Sequence, residues 1–135
     1  MNEEAKAILS ENILGTVATI NEDGSPWTTP IHVFSDDEAV YWFSNEDKLH
    51  SINIDRDPRV SLALFSPDLS RGPQGVYVSG FATKLDDEST AAAKQLMVAK
   101  IGKIPPHFEQ ATGYRLEIGQ LNSGKSNGNC WYFYS

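Results

Sequence analysis

The sequence has little of what several classes of protein depend on. It has a single cysteine, Cys130, among 135 residues, which excludes an internal disulfide and any site built from several cysteines. It has no run of roughly 18 apolar residues, and its first residues are acidic rather than apolar. We therefore expect neither a membrane-spanning segment nor a secretion signal, and the cytoplasm is the expected location.

Positive charge is also scarce. Lysine and arginine total 11 against 18 acidic residues, which gives a formal net charge of −7. Because non-specific binding to nucleic acids depends on clustered basic residues, this balance argues against a nucleic-acid partner. Hydrophobic residues make up 40% and charged residues 21%, as in ordinary soluble globular proteins. We predict one domain over residues 1–135, since this length can bury its own core.

One octet matches a well-known motif. Residues 119–126, GQLNSGKS, fit the phosphate-binding loop pattern G-x-x-x-x-G-K-[ST]. Such a loop needs a helix directly after it, because the backbone N–H groups at the helix N-terminus hold the phosphate. Residues 127–135 instead combine turn formers with aromatics that favour a strand. We therefore predict a polar loop between two strands, in which Lys125 either approaches a ligand or faces solvent.

The hydrophobic pattern predicts a mostly antiparallel β protein with few helices. Helices are expected at residues 3–12, 45–55 and 86–100, and the last has acids at its start and lysines towards its end. Strands are expected at residues 14–20, 27–34, 39–43, 59–65, 76–85, 113–121 and 129–134. Short strands joined by turns are typical of an antiparallel barrel or sandwich.

The segment FSNEDK at residues 43–48 permits two interpretations. In the first, Ser44 and Asp47 form a capping box, in which each side chain pairs with the backbone N–H of the other residue. In the second, the N–H groups at the start of a helix, the Ser44 hydroxyl and the Lys48 ammonium form an anion site. Glu46 and Asp47 oppose the second interpretation, because carboxylates repel a phosphate unless they point away. The local sequence leaves both open.

Taken together, several stretches resemble the pyridoxamine 5′-phosphate oxidase-like, FMN-binding split-barrel family. Its members read an aromatic residue, Thr or Ser, then Asn, with a Lys about four residues on, followed by Asn-Pro-Arg-Val and by Val-x-Gly-x-Ala. Here the corresponding letters are FSNEDK at 43–48, DPRV at 57–60 and VSGFA at 78–82. The letters TPI at 29–31 are similar to the family's flavin-lining strand. The resemblance covers roughly residues 13–100 and implies an all-β antiparallel split barrel that forms a homodimer.

The resemblance also implies where a cofactor binds. Residues 44–48 would hold the phosphate and ribityl end of FMN, and residues 28–31 would run beside its isoalloxazine ring. Because the family's site lies between two protomers, some residues would come from the partner chain, although Trp131 could instead be a core or interface aromatic. The candidate cofactor-binding residues are Thr28, Thr29, Pro30, Ile31, Phe43, Ser44, Asn45 and Lys48, with Gln74, Ser79 and Trp131 from the partner chain.

The implied activity is an oxidoreductase that passes electrons or hydride through FMN to a small molecule. The alternative on the same fold is a non-catalytic flavin or haem protein that acts as a carrier or sensor, and a deazaflavin is a further cofactor that relatives accept. The vitamin B6 oxidase itself ends with Trp followed by an Arg and a His that hold its substrate, whereas the chain here ends WYFYS after residue 130. Pyridoxamine phosphate is therefore not the expected substrate.

Other reactive residue types give no site from their spacing. His32, His50 and His107 are far apart in the sequence and lack the H-E-x-x-H spacing that puts two imidazoles on one helical face. We expect them to be ordinary polar or interface histidines, and no metal site is predicted. Cys130 has no identifiable base partner, and no G-x-S-x-G motif occurs. No catalytic acid or base is nominated.

Overall fold

The computed structural model describes residues 3–11, 14–66, 68, 70, 72–119 and 129–134, and side chains at the C-terminal end as far as residue 131. The helices are α1 (Glu3–Glu11), α2 (Leu49–Arg56) and α3 (Asp87–Ile101), with a 3₁₀ helix at Pro106–Phe108. The strands are β1 (Leu14–Ile20), β2 (Pro26–His32), β3 (Phe34–Ser35), β4 (Ala39–Ser44), β5 (Arg59–Phe65), β6 (Gln74–Phe81), β7 (Thr83–Lys84), β8 (Thr112–Glu117) and β9 (Cys130–Tyr134). Within these residues no helix combines the length and apolar character needed to span a membrane.

The strands form two antiparallel sheets. A five-stranded sheet has the order β2-β1-β5-β6-β9, and a four-stranded sheet has the order β3-β4-β8-β7. The expected all-β antiparallel class with few helices is therefore confirmed. Two predicted strands, 27–34 and 76–85, are each split, because the chain leaves the first sheet at Val33 or Ala82 and enters the second. Both of these residues are buried at the crossing, so the hydrophobic pattern runs on without marking the break.

The main core lies between the two sheets. Alternation along β1, β5 and β6 directs Val17, Leu62 and Val78 inwards, and each is fully buried. Trp42 of β4 and Tyr114 of β8 meet them from the second sheet with stacked rings whose centroids lie 5.9 Å apart. The opposite side of the five-stranded sheet, its outer face, stays partly exposed.

A smaller core lies under α3. The Asp86 side chain caps this helix by accepting a hydrogen bond from the Ser89 N–H at 2.7 Å, and Gly102 ends it in the left-handed conformation with φ of +86°. Its buried face packs against β3, β4 and the segment after the 3₁₀ helix. This cluster consists of Phe34, Phe43, Ala93, Met97 and Ala111. It holds the end of β4 against the 3₁₀ helix.

Gly15 allows β1 and β5 to approach closely. A Cβ at this position would lie 2.9 Å from the backbone oxygen of Ala63, which cannot move aside as a side-chain end can. We expect Gly15→Ala to lower the free energy of unfolding by about 1–3 kcal/mol, which corresponds to roughly 3–10 °C in the thermal midpoint. Gly80→Ala is the matched control, since its Cβ would meet only the Leu116 and Asn129 side-chain ends at 3.2 and 3.6 Å. Equal losses would contradict the assignment to backbone contact.

Candidate functional site

A cavity of about 590 Å³ lies at one edge of the five-stranded sheet. It is bounded by the outer part of β2, the end of β4, the turn into α2 and the segment around the 3₁₀ helix. This volume falls within the range of about 300–1,000 Å³ that is usual for small-molecule sites. The lining residues are polar at one end of the cavity and apolar at the other, and this difference limits the kind of ligand that fits.

One end of the cavity is polar. Ser44 closes β4, and Asn45 and Lys48 belong to the turn that precedes α2. The backbone N–H of Lys48 donates to the Asn45 carbonyl at 3.2 Å, and Lys48 is the N-cap residue of a helix that begins at Leu49. The prediction that this helix starts at residue 45 is therefore wrong by four residues. An exposed ammonium and a hydroxyl remain at the polar end.

The capping box between Ser44 and Asp47 is not formed. The helix has Lys48 as its N-cap, with no side-chain capping bond. The Ser44 hydroxyl donates instead to the Asn45 carbonyl at 3.3 Å, and its oxygen lies 2.8 Å from Nε2 of His50. Of the two interpretations of this segment, the capping box is wrong, and the anion site stays a prediction.

One of the two acids that opposed an anion site is engaged elsewhere. Glu46 forms an ion pair with Lys84 and accepts a hydrogen bond from the Thr112 hydroxyl at 3.3 Å. The hydrogen bond and charge of Lys84 lower the pKa of the Glu46 carboxyl below its usual value. Glu46 does not line the cavity, and Lys84 also lies 3.7 Å from Asp55. The carboxylate of Glu46 is therefore held on the β7 side of the turn by a cation of its own.

The other end of the cavity is apolar. Ile31 of β2 and Phe43 of β4 are almost fully buried along its wall, and Pro30 is exposed beside them. Phe108 and Ala111 contribute from the region of the 3₁₀ helix. A cavity with a cationic, hydroxyl-bearing end and an apolar wall fits a ligand that joins an anion to a flat or apolar group.

All three histidines line this cavity, although their spacing along the chain did not indicate a common site. His32 ends β2 and His107 lies in the 3₁₀ helix, and their ring centroids are 6.3 Å apart in an edge-on arrangement. The Phe108 ring lies 5.8 Å from His32 and 4.1 Å from His107. His32 and His107 are exposed, whereas His50 is 8% exposed. The expectation of ordinary polar or interface histidines did not include this grouping, because no fixed spacing relates a strand end to a distant 3₁₀ helix.

His50 is the buried histidine of the site. Burial, with a smaller contribution from the charge of Lys48, lowers the pKa of its imidazole below the usual value of 6.5. The ring is therefore uncharged at neutral pH. In this form one ring nitrogen donates and the other accepts, and Nε2 faces the Ser44 hydroxyl.

The sequence-predicted cofactor residues divide into two groups in the structure. One group lines the cavity and consists of Thr29, Pro30, Ile31, Phe43, Ser44, Asn45 and Lys48. The other group does not line it. Thr28 is exposed on the outer face of β2, Ser79 donates to the Ser61 hydroxyl at 3.2 Å, and Gln74 and Trp131 lie farther along β6 and β9. Trp131 is 37% exposed, so a core role for it is wrong, and an interface role stays a prediction.

Only the first residue of the octet at 119–126 is described, and Lys125 lies outside the described residues. The Asn129 side chain joins the two ends of this connection: its Oδ1 accepts from the Gly119 N–H at 2.6 Å, and its Nδ2 donates to the Glu117 carbonyl at 2.7 Å. Residues 130–134 then form β9, which pairs with β6. Where the described residues resume after the octet, the chain therefore enters a strand and not a helix, and the prediction of a strand here is confirmed.

Comparisons with known proteins agree with the fold. The family model described as pyridoxamine 5′-phosphate oxidase matches residues 1–122. No curated protein matches the sequence. A conserved hypothetical protein from Mycobacterium tuberculosis superposes with a TM-score of 0.75 and 21% identity, covering 99% of this chain and 85% of that one.

Two further solved structures share the same fold. A FAD-binding protein from Mesorhizobium loti has a TM-score of 0.69 and 22% identity, covering 89% of this chain and 91% of its own. HutZ, a haem storage protein from Vibrio cholerae, has a TM-score of 0.72 and 18% identity, covering 85% of this chain and 87% of its own. At these identities the likeness establishes the split-barrel fold.

Proposed function

We propose, since this chain belongs to the pyridoxamine 5′-phosphate oxidase family, that its cavity binds FMN and that the protein is an oxidoreductase. Electrons or a hydride would pass through the flavin to a small molecule. The observation that carries this proposal is the division of the cavity into a polar end at Ser44, Asn45 and Lys48 and an apolar wall at Ile31 and Phe43.

The polar end fits the phosphate of FMN. The Lys48 side chain supplies a cation at the mouth of the turn, and a charge-assisted contact to phosphate is among the stronger polar interactions available to a protein. The Ser44 hydroxyl and the Asn45 side chain add groups that can hydrogen-bond to phosphate or ribityl oxygens. Glu46 is held by Lys84, so it does not counter this charge at close range.

The apolar end fits the ring system of a flavin. Ile31 and Phe43 offer a wall on which a flat ring can pack, and Pro30 extends it towards solvent. In the described sheets β2 is an edge strand, so one row of its backbone N–H and C=O groups does not pair with a neighbouring strand. Residues 28–31 could therefore offer backbone groups to the polar edge of the ring. When bound, FMN supplies the electron or hydride transfer, and the chain supplies orientation and exclusion of water.

We further propose that the protein is a homodimer that uses the outer face of the five-stranded sheet. Two cross-strand rows run over this face, and the register places their members side by side. The rows are Pro30, Thr16, Ala63, Tyr77 and Trp131, and next to them Thr28, Ala18, Ser61 and Ser79. None of these nine side chains is charged, and the Tyr77 and Trp131 side chains are about two-fifths exposed. A large uncharged exposed patch is typical of a protein interface.

The proposed interface is continuous with the cavity. Leu14, Pro30 and His32 lie on the outer face of the sheet and also line the cavity. A second copy seated on this face would therefore border the cavity as well as the sheet. This arrangement accounts for Ser79 and Trp131, which lie on the same face but do not reach the cavity of their own chain. The site would be completed by the partner.

The absorption spectrum of the purified protein tests the cofactor. We expect the two visible bands of oxidised flavin, either as purified or after addition of FMN and removal of the excess. Bleaching of these bands by NADH or NADPH, followed by recovery with a small-molecule acceptor, would support an oxidoreductase. Flavin that stays bound but is not reduced by any nicotinamide would point to a carrier or sensor. A protein that retains no flavin after incubation with FMN would contradict the proposal.

Haem is the second candidate, and the histidine pair is the observation that favours it. The His32 and His107 imidazoles lie at the exposed side of a cavity that has an apolar wall. Imidazole is a common axial ligand of haem iron. A haem storage protein is among the similar folds. A Soret band after addition of haemin, lost in the His32→Ala and His107→Ala variants, would favour this candidate over FMN.

A further inference from the structure

We propose that His50 is a positioning residue that makes the affinity for the FMN phosphate depend on pH, because protonation of its ring adds a positive charge at the polar end of the cavity and stops Nε2 from accepting the Ser44 hydroxyl proton. The inference rests on the proposed function and concerns the regulation of the same site. It was not indicated by the spacing of the histidines in the sequence, and it depends on a contact that only the fold creates.

The contact between His50 and Ser44 is short and shielded. Nε2 of His50 lies 2.8 Å from Oγ of Ser44, both residues are 8% exposed, and both line the cavity. The Ser44 oxygen is also 3.3 Å from the Asn45 carbonyl, which accepts from the hydroxyl. A hydroxyl has a single proton. When that proton is directed at Asn45 or at His50, Ser44 cannot donate it to a ligand.

Protonation of His50 changes this arrangement. Neutral His50 accepts the Ser44 proton when its own proton is on Nδ1. Once both ring nitrogens are protonated, Nε2 can only donate, so the Ser44 proton is available to the Asn45 carbonyl or to a ligand. An anion in the cavity is a better acceptor for that proton than the neutral Asn45 carbonyl. The imidazolium also places a second positive charge near the polar end beside Lys48. Both effects strengthen the binding of an anion as the pH falls.

The charged and titratable groups around His50 determine whether phosphate binding can favour its protonation. Burial, and to a smaller extent the charge of Lys48, opposes protonation of His50 in the free protein and lowers the pKa of its imidazole. Among the strands packed against α2, β1 has no charged residue and the one titratable group of β2 is His32. Strand β8 adds Tyr114, which lies beside Ser51. His107 lies on the same cavity.

The carboxylates and the remaining cation near α2 lie to either side of this contact. Glu46 and Asp55 face Lys84, and Asp47 is exposed in the turn. Arg56, at the far end of the helix, donates to the Asn53 side chain at 3.3 Å. Nothing on these elements replaces an anionic ligand as the partner of a charged His50. Binding of the phosphate should therefore raise the pKa of His50 and take up a proton.

The experiment measures the dissociation constant of FMN by flavin fluorescence between pH 5.5 and 8 for the wild type, His50→Gln and His107→Gln. Glutamine can hydrogen-bond to Ser44 but does not titrate in this range. Because a phosphate monoester itself titrates near pH 6, the quantity to compare is the ratio of wild-type to variant affinity at each pH. The dissociation constant of each protein is divided by its own value at pH 8, so that a loss of affinity that is the same at every pH does not affect the comparison.

We expect the wild-type to His50→Gln affinity ratio to rise as the pH falls, by about tenfold for each unit by which FMN raises the pKa of His50. The corresponding ratio for His107→Gln should change less, since His107 is exposed and the histidine that contacts Ser44 in the described structure is His50. A second readout does not depend on the variant's folding. The NMR titration of the His50 ring in the wild type should move to higher pH when FMN, or inorganic phosphate as a simpler probe, is added.

The outcomes separate this inference from the proposed function. FMN binding with parallel pH profiles for all three proteins, or a His50 titration that FMN leaves unmoved, would overturn the role of His50 alone. No FMN binding at any pH would overturn the proposed function and this inference with it.

Discussion

Replacing Lys48 with alanine should weaken FMN binding by roughly tenfold to a hundredfold, the usual value of a hydrogen bond to a charged group. Lys48 is the cation at the polar end of the cavity, and the carboxylate of Glu46 is occupied by Lys84 rather than by Lys48. The loss should appear as a faster dissociation of FMN, measured by the recovery of flavin fluorescence. Because a charge is removed, the affinity of the variant should also depend less on salt.

The control for this prediction is Lys6→Ala. Lys6 lies on α1, is exposed and pairs with Glu3 at 3.8 Å, so its removal changes the net charge equally without touching this cavity. Its affinity for FMN should equal that of the wild type. Equal losses in the two variants would show that the effect comes from net charge. An unchanged affinity of Lys48→Ala for FMN would contradict the assignment of the phosphate to the polar end of the cavity.

Placing a carboxylate at Ala63 should separate the proposed dimer. Ala63 lies in the middle of the outer face, opposite Thr16 on one side and Tyr77 on the other. A charge buried there against the same uncharged surface of a second copy costs several kcal/mol, which corresponds to at least a hundredfold loss of dimer affinity. Analytical ultracentrifugation should show a dimer for the wild type and a monomer for Ala63→Glu. Because the partner would complete the site, FMN affinity should fall too.

Gln95→Glu provides the matched control for the interface. Gln95 is exposed on α3 and does not belong to the five-stranded sheet, so the substitution makes the same change in charge elsewhere. It should leave both the sedimentation and the FMN affinity unchanged. A wild-type protein that sediments as a monomer at all concentrations would contradict the proposed dimer. A monomeric Ala63→Glu protein with full FMN affinity would show that one chain suffices for the site.

The sheet architecture could be predicted because hydrophobic alternation reports which side of a strand is buried. Residues 59–65 show it plainly, and β5 has those bounds. The pattern could not show that the chain changes sheets at Val33 and Ala82. At the first crossing three successive residues, 33–35, are all buried, which the alternation of a single strand cannot represent. Such a step is decided by how two sheets pack, not by local preference.

The start of α2 could not be placed for a related reason. Ser44 is a preferred N-cap residue type and Lys48, the N-cap residue in the structure, is not, so the sequence predicted a start at residue 45. In the folded protein Ser44 turns to His50 and Glu46 turns to Lys84, two contacts that form only when β4, α2 and β7 are assembled. Because Ser44 contacts His50 and does not cap the helix, its hydroxyl lines the cavity.

The candidate site was predictable only in part. The resemblance predicted that β2 and the turn before α2 form one site, and the structure places the predicted residues of these two segments around one cavity, except Thr28. The other wall, His107 and Phe108, lies beyond the stretch of resemblance at roughly 13–100 and was missed. His50 falls within that stretch, yet no motif letter marks it. Its role depends on a 2.8 Å contact that tertiary packing creates.

The central claim is that the polar end of the cavity, formed by Ser44, Asn45 and Lys48, holds the phosphate of FMN. Its most direct test is a comparison of FMN with riboflavin, which lacks the phosphate, in titrations of the wild-type protein followed by flavin fluorescence. We expect FMN to bind at least roughly tenfold more tightly, because the phosphate adds a charge-assisted contact to Lys48. Equal affinities for the two flavins, or binding of neither, would contradict the claim.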